Sequence, residues 1–180
     1  LKPSERDPSS SRLLCELVLE AGISPGVLNM VNGGKDTVDA ILQHKDISSV
    51  SFVGSTPIAH YVYSEAAKYG KKVQAMGGAK NHMVVMPDAD MERVGDAIMG
   101  SVFGSAGERC MAISVVVPVG EGTGDKIKEI IKPKIENLKI GPGLDLDTEM
   151  GPLVTSDHLQ KVKKYIDQGV NEGADLIVDG

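Results

Sequence analysis

The strongest constraint on this chain is the alternation of short β-branched runs with one-faced helical segments. Ile47 to Val53 is apolar and β-branched, and Gly54-Ser55-Thr56-Pro57 then opens a helix running to about Tyr69. That helix carries Ile58, Tyr61, Val62 and Ala66 on one face. Ahead of it, Ser9 to Ala21 lines up Leu13, Leu14, Leu17, Val18 and Ala21, and Gly22 follows as a stop. Cys15 adjoins that face and reads as a packing residue. Pro25-Gly26 is a turn, Val27 to Val31 reads as a strand, and Asn32-Gly33-Gly34 is a second turn. Thr37 to Gln43 reads as a short helix with Val38, Ile41 and Leu42 inward. Up to Gly70 the order is helix, strand, helix, strand, helix. Neighbouring parallel strands need a crossover, so this order predicts an α/β fold, a parallel sheet covered by helices.

The remainder alternates again. Lys72 to Gln74 and Met83 to Met86 are strand candidates, separated by the flexible run Met76-Gly77-Gly78-Ala79. Asp88-Ala89-Asp90 caps a helix bearing Met91, Val94, Ile98 and Val102. Met111 to Val119 reads as a strand and Asp125 to Leu138 as a helix that Pro133 should kink or divide. Gly141 to Gly151 is a loop, Ser156 to Val170 a clean helix, and Leu176 to Val178 a last strand. The glycine break places the boundary between two α/β units, 1–76 and 77–180.

Composition removes several function classes. A chain of 180 residues suits one domain or parts of two, and 41% hydrophobic residues suffice for a core. A net charge of -6 with no basic stripe argues against a nucleic-acid partner. No apolar run approaches the ~18 residues of a membrane span, and no signal peptide opens the chain. Cys15 and Cys110 make no disulfide framework, and no Cys/His spacing suits a metal. A reducing cytosolic setting fits. The start at Leu1 and the stop at Gly180, just past a strand-like run, read as cuts through a larger protein.

Four short motifs could carry chemistry. Cys110 ends the small-residue turn Phe103-Gly104-Ser105-Ala106-Gly107-Glu108-Arg109-Cys110. Gly104 and Gly107 allow a sharp bend, and Arg109 would lower the thiol pKa if its guanidinium reached the sulfur. Taken alone, an isolated cysteine is ordinarily core. The Gly54 to Pro57 corner offers helix N–H groups that suit a phosphate, with Ser55 or Thr56 as cap. The pattern G-x-G-x-x-G is absent, and alone the corner is a plain cap. Lys2 and Glu5 could flank a ribose, or form a solvated charged pair ahead of a helix. Asn81-His82 before a strand reads as surface or core, and no Ser/His/Asp arrangement emerges.

Together, in order and spacing, these pieces resemble the aldehyde dehydrogenase superfamily over the whole chain. The landmarks are Lys2-Pro3-Ser4-Glu5, the run from Gly22 to Gly33, Phe52-Val53-Gly54-Ser55-Thr56, the glycine pair at 77, Pro87-Asp88-Ala89-Asp90, the cysteine turn, and Gly151-Pro152. The resemblance implies NAD in a Rossmann-like domain over 1–76 and part of a catalytic, cysteine-bearing domain over 77–180. It implies that Lys2 and Glu5 bind the adenosine ribose and that Gly33 passes close to the adenosine. Ser55, with Thr56 on the helix it opens, would hold the pyrophosphate, and Cys110 would be the nucleophile. A carboxylate at Glu5 would favour NAD over NADP, because a 2′-phosphate would meet like charge.

One departure narrows the branch. Hydrolytic members carry a glutamate base in an E-L-G-G-K segment, whereas this chain has Ala75-Met76-Gly77-Gly78-Ala79-Lys80-Asn81-His82. The glutamate's place falls on Met76 or Ala75, depending on the anchor, and neither is a base. Ala59 replaces a glycine common in relatives. With "AKNH" and "GERCMA" the chain looks like the coenzyme A-acylating, methylmalonate semialdehyde dehydrogenase branch. That branch implies oxidation of methylmalonate or malonate semialdehyde to propanoyl-CoA or acetyl-CoA with loss of carbon dioxide, in valine catabolism. Implied partners are the aldehyde, coenzyme A and further copies in a dimer or tetramer. The implied compartment is a bacterial cytoplasm or a mitochondrial matrix. Arg109 would assist a carboxylated substrate or, by preference, pair with Glu108. Alternatives are an acid-releasing NAD-dependent aldehyde dehydrogenase, or an inactive polypeptide retaining part of the nucleotide site.

Overall fold

The computed structural model describes residues 1–179 and divides into two compact units, one from Leu1 to Gly78 and the other from Ala79 onward. Gly180, the end of the range 77–180, lies outside the described residues.

The first unit contains α1 (Ser9–Glu20), α2 (Lys35–Gln43), β1 (Ser49–Val53), α3 (Thr56–Lys68) and β2 (Lys72–Met76). β1 and β2 pair in parallel, from Ser49 opposite Lys72 to Val53 opposite Met76, with α3 as the crossover between them. Alternation places Val50, Phe52, Val73 and Ala75 on the sheltered face. Val50, Phe52 and Val73 pack on Leu42, Val62 and Ala66, all at most 1% exposed. Burying a side chain such as Leu42 contributes about 1.5–3 kcal/mol. Lys71, 8% exposed, sends its ammonium to the carbonyls of His44 and Ile47, each at 2.5 Å, just past the C-terminal end of α2. A cation there also meets the negative end of the helix dipole.

The second unit contains β3 (Asn81–Val85), α4 (Met91–Ile98), β4 (Ile113–Pro118), α5 (Thr123–Glu136) and α6 (Ser156–Asn171). Asp90 caps α4 by accepting the Arg93 N–H. Past Ile98 the helix widens into a π-turn, Met99–Phe103, and ends in a turn, Gly104–Gly107, whose Ser105 and Ala106 are left-handed. β3 and β4 pair in parallel over a core of Val85, Ile98 and Ile127. The chain is thus α/β with parallel strands in both units, and no helix among the described residues is long and apolar enough to cross a membrane.

Two strand expectations fail. Val27 to Val31 is not a strand: Val27 is 71% exposed, and among the described residues the segment's bonds to a neighbouring chain stretch go only to Leu1. Leu176 to Val178 is coil, with Leu176 and Ile177 about half exposed and no strand beside them among the described residues. Pro133 does not divide its helix, which runs on to Glu136. It sits in the last turn on an exposed face, and Asn137 satisfies its carbonyl through both main-chain and side-chain nitrogen.

Candidate active site

In the first unit, Lys2 joins two stretches of chain. Its ammonium donates to the Gly33 carbonyl at 2.7 Å and to the Pro3 carbonyl at 2.5 Å, and lies 3.6 Å from Glu5 Oε2. The Lys2 side chain is 17% exposed and that of Glu5 59%. The backbone hydrogen bond at Glu5, and then the Lys2 charge, hold the Glu5 carboxyl below the usual glutamate value. It therefore stands ionised at neutral pH as an open acceptor. Gly33 has φ of +141°, and a Cβ there would lie 2.0 Å from Thr37 Oγ1, so only glycine fits.

β1 passes to α3 through Gly54 and Ser55, both exposed. Pro57 takes its place in the first turn, but neither expected cap forms: the Ser55 hydroxyl makes no capping bond, and Thr56 Oγ1 instead accepts the Gly78 N–H at 2.9 Å. A Cβ on Gly77 would lie 2.9 Å from Thr56 Oγ1 and 3.1 Å from Thr56 Cα. The glycine pair, read from sequence as a flexible break, is thus a close approach of backbone to the start of α3. The first-turn N–H groups of α3 have no intrahelical acceptor and face an exposed corner that suits a phosphate. Lys2, Glu5 and Gly33 form one cluster, and Ser55 and Thr56 a second feature of the same unit.

In the second unit the cysteine turn is strained. Ser105 and Ala106 take φ of 55° and 53°, and Gly107 follows at 74°. For the two non-glycine residues this costs about 1–2 kcal/mol each. Cys110 is exposed, not core. The Arg109 guanidinium lies over Gly104, within 2.7–3.0 Å of where a Cβ would stand. The expected Glu108–Arg109 pair is absent: Glu108 Oε1 meets His158 Nε2 of α6 at 3.3 Å, and Arg109 has no ion-pair partner among the described residues. His82 Nδ1 lies 2.9 Å from the Lys80 carbonyl. At the end of β2, Ala75 turns inward and Met76 outward at 52% exposure, so neither face of that strand end holds a proton acceptor.

The aldehyde dehydrogenase family model matches residues 1–180, the whole chain. The chain belongs to the aldehyde dehydrogenase family. Malonate-semialdehyde dehydrogenase of Pseudomonas aeruginosa is 56% identical over all 180 residues, which make up 36% of that relative. A Sinorhizobium meliloti protein provisionally assigned as a methylmalonate-semialdehyde dehydrogenase, and complexed with NAD, superposes with a TM-score of 0.93 at 57% identity. That match covers 100% of this chain and 37% of that one. Betaine aldehyde dehydrogenase of Staphylococcus aureus in complex with NAD⁺ gives 0.88 at 30% identity, over 98% of this chain and 35% of that one. The chain therefore spans little more than a third of the length of these aldehyde dehydrogenases.

Sequence reasoning missed three features of this aldehyde dehydrogenase chain. Asn81 reads with His82 as a surface or core residue, yet its side-chain nitrogen donates to the carbonyls of Cys110 at 2.8 Å and Ala112 at 3.0 Å. The Glu108–His158 pair links residues remote in sequence, and no local pattern announces it. Gly104 read as a bend, whereas it also makes room for Arg109.

Proposed function

We propose that this chain carries the nucleophile and part of the NAD site of a coenzyme A-acylating aldehyde dehydrogenase acting on malonate or methylmalonate semialdehyde. One observation carries the reading: an exposed cysteine, Cys110, on a braced turn in a chain whose β2 end, Ala75-Met76, supplies no base. The names of the relatives at 56% and 57% identity support it.

The residues fit NAD. Ionised Glu5 beside Lys2 offers acceptors to ribose hydroxyls and would repel a 2′-phosphate. Gly33 holds the backbone close against Thr37 where any Cβ would clash, and the opening turn of α3 at Ser55 and Thr56 would offer its N–H groups to the pyrophosphate. When bound, NAD supplies a hydride acceptor.

The Cys110 thiolate adds to the aldehyde carbon, the carbonyl bonding pair passing to oxygen, and gives a hemithioacetal oxyanion. Loss of hydride from that carbon leaves a thioester on Cys110. The substrate carboxylate departs as carbon dioxide, its bonding pair passing to the neighbouring carbon, which then takes a proton. With no carboxylate at 75 or 76 to deprotonate water, the thiolate of coenzyme A attacks the thioester carbon and Cys110 leaves as thiolate. Arg109, which has no acidic partner among the described residues, would receive the substrate carboxylate. The quoted relatives are bacterial, which supports a cytoplasmic enzyme.

The test is NADH formation by the full-length enzyme with and without coenzyme A. We expect a single burst, equal to the Cys110 content, without coenzyme A and continuous turnover with it. Continuous turnover without it would identify the acid-releasing reaction instead.

A further inference from the structure

We propose that Asn81 is a positioning residue for Cys110, fixing through two hydrogen bonds the backbone from which the thiol is presented. The inference rests on the reading of Cys110 as nucleophile. Asn81 is the first residue of β3, and there the ladder slips: Asn81 pairs with Ile113 but His82 with Val115. Ser114 is the extra residue of a bulge. Bulges re-aim side chains, and this one lies at the point where Asn81 reaches the cysteine turn. Its side-chain amide has two N–H donors, and both are used, on the carbonyls of Cys110 and Ala112.

The surroundings of the turn leave this task to Asn81. Cys110 is exposed and Met111 is 74% exposed, so packing holds the segment only at its far end, where Ala112 is 8% exposed. Among the described residues, the only main-chain bond across it runs from the Ala112 N–H to the Arg109 carbonyl at 3.1 Å. The Cys110 N–H meets no acceptor among the described residues, which leaves it free to donate to an oxyanion on the attacked carbon. The bond from Asn81 to the Cys110 carbonyl is an exposed one, so it adds little stability. What the bond adds is a fixed orientation on one side of the Cys110 Cα.

The experiment compares the full-length enzyme with N81D, which keeps the shape but replaces the donor with an acceptor, and N81S, which keeps one O–H donor. Three quantities are read: the NADH burst rate, the rate of Cys110 alkylation by iodoacetamide, and the Kd for NAD. We expect burst and alkylation rates to fall on the order of tenfold or more in N81D, less in N81S, with the NAD Kd within about twofold. Rates within about twofold of wild type in both variants would overturn the proposal, as would an equal loss of NAD affinity, which would mark general damage. If N81D does not fold, N81S decides on the same criteria. Alkylation needs no aldehyde, so if no semialdehyde yields NADH the reaction assignment fails while the role of Asn81 is still decided.

Discussion

At Gly33 a single backbone angle shapes the nucleotide side. Its φ of +141° excludes side chains, and its carbonyl anchors Lys2. Gly33→Ala should cost about 1–3 kcal/mol and weaken NAD binding, read as a lower Tm and a higher Kd in the full-length enzyme. Thr37→Ala in the same background relieves the 2.0 Å overlap but not the backbone angle, so recovery should be partial. Gly104 permits a sharper test of substrate class. A methyl group there displaces the Arg109 guanidinium, a flexible chain end, and should leave the fold intact. Gly104→Ala should raise the KM for malonate semialdehyde roughly tenfold, equivalent to ~1.4 kcal/mol, and leave that for propanal unchanged. Equal effects on both aldehydes would remove Arg109 from carboxylate recognition. Gly33 was legible in the sequence as a turn residue. Asn81 was not, because its partners lie 29 and 31 positions away and come beside it only through the pairing of β3 with β4.

Among the elements, α2 and α3 are held by more than their apolar faces. The Asp39 carboxylate accepts from Lys35 at 2.5 Å and from the Tyr61 hydroxyl at 2.6 Å. These bonds, that from Lys35 first, hold its carboxyl below the usual aspartate value. A lowered folded-state value stabilises the protein above the usual aspartate range, and that contribution fades as pH falls through and below it. Tyr61→Phe should therefore lower Tm by a few degrees at neutral pH and by less in strong acid. Lys71→Met, close in shape, strands the carbonyls of His44 and Ile47 and should cost about 1–3 kcal/mol by denaturant unfolding. The helices were readable because a one-sided apolar stripe is local information. The failed strands at Val27 and Leu176 show the converse: a strand exists only with a partner, and composition cannot say whether one stands alongside.

At the scale of the whole chain, much apolar surface is uncovered. No residue of α1 is buried, and Leu13, Leu14, Leu17 and Leu19 are each at least 50% exposed. Each sheet has two strands and therefore open edges. Expressed alone, these 180 residues should self-associate and produce no aldehyde-dependent NADH. A clean monomer by light scattering, or measurable turnover, would contradict this. The α/β class followed from the alternation of segments, whereas the meaning of the glycine pair at 77 did not. It needed the approach of that backbone to Thr56, a contact that periodicity does not encode.

The left-handed run at Ser105, Ala106 and Gly107 separates tolerance to mutation from burial. Ser105 is exposed, and by accessibility alone it should accept almost any replacement. Its backbone admits glycine, asparagine and aspartate readily but disfavours valine, isoleucine and threonine. A saturation library selected for activity should therefore show β-branched residues depleted at 105 and 106 as strongly as at buried Val85 polar residues are. The rim of the cysteine turn is a surface whose permitted alphabet is written by its main chain.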